Sequence, residues 1–134
     1  MSYKPKSKKQ EHPTPDSIFN IIFKEWGFKN MFDPCPIGTP YKAPCFFNGL
    51  YGNWKKINYV NCPFEVKTLR KFYQKALEQS EIGNKTIMLL PSKTDQDWFH
   101  NIIEKGFKIK WIRGRIKFKF DKHHAPDCHF LVKI

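Results

Sequence analysis

Helical and strand-like segments alternate along the centre of the chain, and this alternation limits the possible folds more than any other feature. Residues 65–83 and 93–107 place apolar side chains at helical spacing, and each segment closes with a glycine near its end. The apolar run KTIMLLP at 85–91 lies between them and is typical of a strand covered on both faces. This order predicts right-handed βαβ units, and therefore an α/β fold with a mostly parallel sheet and helices on both faces.

Further segments extend the pattern toward both ends of the chain. Thr14 is a good N-cap and Pro15 suits the first position of a helix that stops at Gly27, and a short strand is expected at 28–34. Apolar and basic residues alternate within residues 108–121, which predicts a long strand with one buried face. The final segment CHFLVKI is expected to pair with it, giving the sheet an antiparallel C-terminal edge.

The 134 residues carry a formal net charge of +12, which favours a nucleic acid as the partner. The length predicts one domain at 13–134, and the lysine-rich residues 1–12 are expected to form a disordered basic arm. No apolar run approaches the roughly 20 residues that span a bilayer, and no secretory signal is recognisable. We therefore expect no membrane partner and a cytoplasmic location.

The cysteines show no CxxC spacing, which is typical of reduced intracellular thiols (Cys35, Cys45, Cys62 and Cys128). A zinc site that combines them with the histidines near the C-terminus is conceivable (His123, His124 and His129). Their spacings match no common zinc module, so we expect no metal.

The motif NCPF at 61–64 directly follows the strand-like run INYV. An exocyclic amine on an aromatic ring is a poor nucleophile, because its lone pair is delocalised into the ring, and two acceptors on its hydrogens would counter this. The Asn61 side-chain oxygen and the Cys62 main-chain carbonyl could be those acceptors, with Pro63 fixing the carbonyl and Phe64 stacking on the ring. These four residues are the candidate catalytic residues. The alternative is that the motif simply ends a strand.

Two other strand ends carry unusual residues, Asp33-Pro34 and the segment 91–95. In open parallel sheets, ligands bind outside the carboxyl ends of the strands. We therefore expect these ends to gather with Asn61 at one edge of the sheet.

Residues 105–120, which we call the basic segment, contain seven lysines and arginines and no acidic residue. One interpretation is a sheet edge that lysines protect against aggregation. The other is a track for nucleic-acid phosphates beside the NCPF motif. The candidate contacts are Lys93, Arg113, Arg115, Lys117 and Lys119.

Several motifs together resemble phage-type DNA N(6)-adenine methyltransferases of the Dam-like family, over about residues 13–134. The most specific are LLPSKTDQDWF and GRIKF; the others are HPTPDSIF, FDPCP, NGLYGNW, YVNCPF and APDCHFLV.

The resemblance implies a compact Rossmann-like fold that uses S-adenosylmethionine, and it makes residues 61–64 the amine-binding loop. It also implies donor contacts at Asp33-Pro34 and Thr14-Pro15. The sequence departs from the family in two ways: no glycine-rich loop follows Asp33, and Cys62 stands where the family usually has proline. The mechanism uses the carbonyl of that residue, so we expect weakened or normal activity rather than none.

The leading hypothesis is transfer of a methyl group to the adenine amine of DNA. Two alternatives remain: a catalytically weak or silent nucleic-acid-binding descendant, and a methyltransferase that acts on RNA or a protein amide.

Overall fold

The computed structural model describes residues 12–35 and 49–134. Residues 1–11 of the predicted basic arm lie outside the described residues, as do residues 36–48 within the irregular stretch that follows Asp33-Pro34. The helices are α1 (Asp16–Trp26), α2 (Val66–Glu81) and α3 (Asp97–Glu104), and the strands are β1 (Ile57–Val60), β2 (Lys85–Pro91), β3 (Lys108–Trp111) and β4 (His129–Lys133).

The four strands form one mixed sheet in the order β1-β2-β4-β3. β1 pairs with β2 in parallel, whereas β4 is antiparallel to both β2 and β3. The α/β class is confirmed, but the mostly parallel sheet is not, since two of the three ladders are antiparallel. The last strand lies inside the sheet because its residues are buried, and the lysine-bearing β3 takes the edge, where exposed lysines discourage further pairing.

Helices cover both faces of the sheet, as predicted. Alternate residues of β2 point to opposite sides: Met88 and Leu90 join one cluster, and Ile87 and Leu89 join the other. The first cluster contains the apolar faces of α2 and α3, and the second contains α1 through Ile18 and Ile22. The apolar stripe predicted for α2 is buried as expected (Leu69, Phe72, Tyr73 and Ala76).

Two of the predicted strands, at 28–34 and 108–121, are shorter than expected. The strand expected at 28–34 is reduced to one parallel bridge between Phe32 and Asn58. The long strand expected at 108–121 stops at Trp111, because the chain turns at Gly114, whose φ is +75°.

Within the part of the chain that the structure describes, no helix is long and apolar enough to cross a membrane. The same residues contain no group of three or more histidine, cysteine or acidic side chains placed to hold a metal ion. Cys35, Cys62 and Cys128 are free thiols, and Cys45 lies outside the described residues.

Candidate active site

The candidate catalytic loop, residues 61–64, leaves the carboxyl end of β1 and leads directly into α2. The end of β2 lies next to this edge, where Pro91 pairs with His129 of β4. Parallel pairing of β1 and β2 therefore brings the two strand ends together, as the sequence predicted.

The Asn61 side chain is held by the segment that precedes α1. Its Nδ2 donates to the main-chain oxygen of His12 at 2.6 Å and to Oγ1 of Thr14 at 2.9 Å. The residue is half-buried, and no described residue donates to its Oδ1. The amide nitrogen is thus engaged with protein, and the amide oxygen is left as an acceptor.

Thr14 is buried and its hydroxyl lies 2.7 Å from the hydroxyl of Tyr59. It does not cap α1, because the structure places Pro15 at the N-cap with no side-chain hydrogen bond. Burial raises the pKa of Tyr59 far above its usual value, so this phenol stays protonated.

Cys62 turns its side chain away from the candidate site and into the core, where it is 2 % exposed. Burial raises the pKa of its thiol well above the usual value, so the group behaves as a small neutral side chain. The neighbouring Pro63 is also buried. Only the main-chain carbonyl of Cys62 is left for the site, and none of the described residues donates a hydrogen bond to it.

Phe64 is half-buried within a group of aromatic rings. The His12 imidazole lies nearly parallel to its ring, with an interplanar angle of 10° and centroids 5.8 Å apart. His129 and Phe118 contact it at tilted angles, with centroid distances of 5.2 and 6.1 Å. His12 is in turn anchored by Asp121, whose Oδ2 lies 3.0 Å from its Nδ1.

His129 is 1 % exposed, and burial lowers its pKa to about 4. Neither ring nitrogen has a hydrogen-bond partner among the described residues. The imidazole is therefore neutral near pH 7 and packs against Phe64 as an uncharged ring.

One cavity is lined by the loop residue Phe64, and another by Tyr59, which lies two residues before Asn61. One, of about 270 Å³, is lined by Tyr59, Asp33 and residues of α1 and the following turn, three of them apolar and two polar (Phe19, Phe28, Met31, Lys29 and Asn30). The other, of about 330 Å³, is lined by Phe64, Pro91, Lys93 and the start of α3, including Trp98. The loop thus lines one cavity, and the strand that leads into it lines the other.

Asp33 lines the smaller of these two cavities, and its Oδ1 accepts a hydrogen bond from the Cys35 main-chain N–H at 2.8 Å. Partial burial of the Asp33 carboxyl raises its pKa, and the hydrogen bond from the Cys35 N–H opposes this shift. Pro34 is buried against Gly49, where a Cβ atom on residue 49 would lie 1.9 Å from the Pro34 main-chain oxygen. Only glycine fits at that crossing.

The predicted nucleic-acid contacts are all exposed. Lys119 pairs with Asp16 at 3.2 Å, and Lys93 pairs with Asp127 at 2.9 Å. Arg113, Arg115 and Lys117 form no ion pair with any described residue.

The basic segment runs beside the loop, because its Phe118 is buried against Phe64 and His12. The main-chain N–H of Lys119 also donates to the Pro13 oxygen at 3.1 Å. The exposed side chains of Lys117 and Lys119 therefore flank an aromatic ring that touches the loop.

Sequence reasoning missed several of these neighbours. Phe118 was visible only as part of an alternation, and nothing local marked Tyr59, His12 or His129 as neighbours of the motif. The contacts join residues far apart in the chain, such as His12 and Asp121, and only the fold brings them together.

The fold and the site combine a mixed α/β sheet with an amide acceptor and an aromatic ring at a strand end, an arrangement suited to binding a flat amine-bearing ring. A family model described as DNA N-6-adenine-methyltransferase (Dam) matches residues 1–129, and the chain belongs to this family. No curated protein and no solved structure matches the chain. The family membership confirms the resemblance seen in the motifs and supports, in general terms, methylation of adenine in DNA.

Proposed function

We propose that the protein transfers a methyl group from S-adenosylmethionine to the exocyclic amine of adenine in DNA, on a compact Rossmann-like fold, with residues 61–64 as the amine-binding loop. The observation that carries this proposal is the orientation of Asn61. Its amide nitrogen is occupied by His12 and Thr14, so its oxygen is the end that can accept a hydrogen from the adenine amine.

Different loop residues contact the amine and the ring of the base. The Asn61 Oδ1 and the Cys62 carbonyl accept the two amine hydrogens, which draws the amine away from planarity and returns electron density to its nitrogen. Phe64 offers a face for stacking, worth about 1–3 kcal/mol per base. S-adenosylmethionine, when bound, supplies an electrophilic methyl group, so positioning and polarisation are what this chain must provide.

The cavity beside Asp33 fits part of such a donor. Its aromatic and thioether walls suit a flat ring, and the Asp33 carboxylate suits an ammonium group or ribose hydroxyls. At about 270 Å³ it is slightly below the roughly 300 Å³ at which small-molecule pockets begin, so it would hold one portion of the donor rather than all of it. Of the predicted donor contacts at Asp33 and Pro34, we assign only Asp33 to the donor here, because the buried Pro34 does not line this cavity.

The basic segment supports DNA as the acceptor. Its exposed Lys117 and Lys119 flank Phe118, which contacts the loop, so they can contact phosphates while the target adenine leaves the stack, at a cost of a few kcal/mol. In the structure the His12 ring covers one face of Phe64, and a base that stacks on that face must displace it.

The replacement of the usual proline by Cys62 is compatible with turnover. The thiol is in the core and takes no part in the site, while the carbonyl remains available. The expected loss is one of preorganisation, on the order of 0.4–1 kcal/mol.

The test is transfer of a labelled methyl group from S-adenosylmethionine to unmethylated plasmid, single-stranded RNA and a protein mixture. We expect label in DNA, and a loss of roughly 100-fold or more with Asn61→Ala, by comparison with other sites that lose one fixed hydrogen-bonding group. Asn20→Ala, an exposed change on α1, is the matched control. Label in RNA or protein alone would redirect the proposal to those acceptors, and DNA binding without transfer would identify a silent descendant.

A further inference from the structure

We infer that Thr14 and Tyr59 are positioning residues that fix the Asn61 amide with its oxygen toward the target amine. The inference rests on the proposed function and gives Thr14 a role through Asn61 rather than by contact with the donor. It stands on a chain of hydrogen bonds: Asn61 Nδ2 to Thr14 Oγ1 at 2.9 Å, and Thr14 Oγ1 to Tyr59 OH at 2.7 Å.

The main-chain oxygen of His12 decides which end of the amide faces the protein. A carbonyl can only accept, and this one lies 2.6 Å from the terminal Asn61 atom. A flipped amide would set two acceptor oxygens against each other at that distance. One acceptor alone, however, leaves the amide plane free to rotate about the bond that joins it to the side chain.

Thr14 supplies the second acceptor, which fixes the amide plane. Its hydroxyl has one hydrogen and two lone pairs, so it can accept from Asn61 whether it donates to Tyr59 or accepts from it. Tyr59 is 3 % exposed and fixes the position of Thr14 in turn. Tyr59 and Asn61 are two residues apart along β1 and its extension, so their side chains leave the same side of the strand and both can reach Thr14.

This network also joins the two halves of the proposed reaction. Tyr59 lines the cavity beside Asp33, and Asn61 holds the amine acceptor. A shift of Tyr59 would be transmitted through one hydroxyl to the Asn61 oxygen.

The experiment compares Thr14→Val, which keeps the shape and removes the hydroxyl, with Thr14→Ser, which keeps the hydroxyl. We expect Thr14→Val to lower kcat roughly tenfold, as for a lost hydrogen bond near the upper end of the usual range, with little change in the KM values for DNA and donor. Thr14→Ser should restore most of the rate. Thr68→Val, which removes a hydroxyl bonded to Glu65 at an exposed position, is the matched control and should match the wild type.

A second readout separates positioning from general stability. In an Asn61→Ala background, Thr14→Val should cause little further loss of kcat, since residues that act through one group are not additive. If Thr14→Val fails to fold, Tyr59→Phe is the substitute variant. It removes only the hydroxyl that holds Thr14, and it should also lower kcat.

Three results would overturn the inference: an unchanged kcat in Thr14→Val, an effect confined to the KM for the donor, or a full additive loss in the double variant. Each applies when the wild type methylates DNA and Asn61→Ala does so at a much lower but still measurable rate. If the wild type fails to methylate DNA, or Asn61→Ala matches it, the proposed function itself has failed, and the two failures are thereby distinguished.

Discussion

The loop at residues 61–64 lies beside residues 112–121, which comprise the second half of the basic segment and Asp121. The sequence predicted the loop well and the structure of residues 112–121 poorly. The loop follows its strand as expected, with Asn61 half-buried and Phe64 in an aromatic group. Residues 112–121 form no strand, although two members of their alternation, Ile116 and Phe118, are buried as a strand pattern would require.

The third member of that alternation shows why the strand fails. Phe120 is 87 % exposed and has a φ of +68°, which is rare for a bulky side chain. The alternation therefore identifies Ile116 and Phe118 as core residues but fails at Phe120, and the turn at Gly114 prevents the segment from pairing as a strand. A motif with a proline and a side-chain amide restricts its own backbone, whereas an alternating pattern depends on a partner being present.

The largest expected effect is a difference in the free energy of unfolding between Phe118→Ala and Phe120→Ala. Phe118→Ala removes a ring that is 2 % exposed and in contact with Phe64 and His12, and we expect it to lower the free energy of unfolding by about 3–5 kcal/mol. Phe120→Ala should change it by less than about 0.5 kcal/mol, as for other surface positions. Denaturant unfolding of both variants measures the difference. Equal losses would mean that the segment packs as the strand that the alternation predicted.

The next effect concerns His129, which touches rings from both regions. Its pKa in the folded protein, about 4, lies below the usual 6.5, so the unfolded chain binds a proton that the folded protein does not. The contribution of His129 to the free energy of unfolding is therefore fully present above about pH 6.5. It is lost as the pH falls toward 4, by about 3 kcal/mol in total.

Unfolding at a series of pH values tests this expectation. His129→Leu should flatten the loss of stability between pH 6.5 and 4, whereas His124→Leu, at an exposed position, should leave it unchanged. An unaltered pH dependence in His129→Leu would show that the buried imidazole is not the source.

The smallest effect concerns DNA binding by the exposed cations of the basic segment. Arg113, Arg115 and Lys117 form no ion pair with the described residues, so replacing all three with glutamine should weaken DNA binding with little effect on folding. If each contacts one phosphate, the slope of log affinity against log salt should fall by roughly 0.9 per contact. An unchanged slope would show that these three cations do not contact DNA phosphates.

The elements whose signals are local were predicted well. The apolar stripe of α2 and the continuous run of β2 were recognised because each carries its own period or length. The position of β4 between β2 and β3 was not predicted, since it depends on which strand has the more apolar side chains to bury, and this requires comparing all the strands. The same holds for the site: Asn61 and Phe64 carry their own chemistry, but the bonds to Thr14 and His12 are formed only when α1 and the segment before it fold against the sheet.

The central claim is that the Asn61 oxygen and the neighbouring carbonyl bind the amine of adenine, and nucleoside analysis of the methylated DNA tests it most directly. Plasmid treated with the wild-type protein and S-adenosylmethionine should yield N6-methyl-2′-deoxyadenosine, and Asn61→Ala should yield roughly 100-fold less under the same conditions. A methyl group found on cytosine instead, or an undiminished yield from Asn61→Ala, would contradict the account.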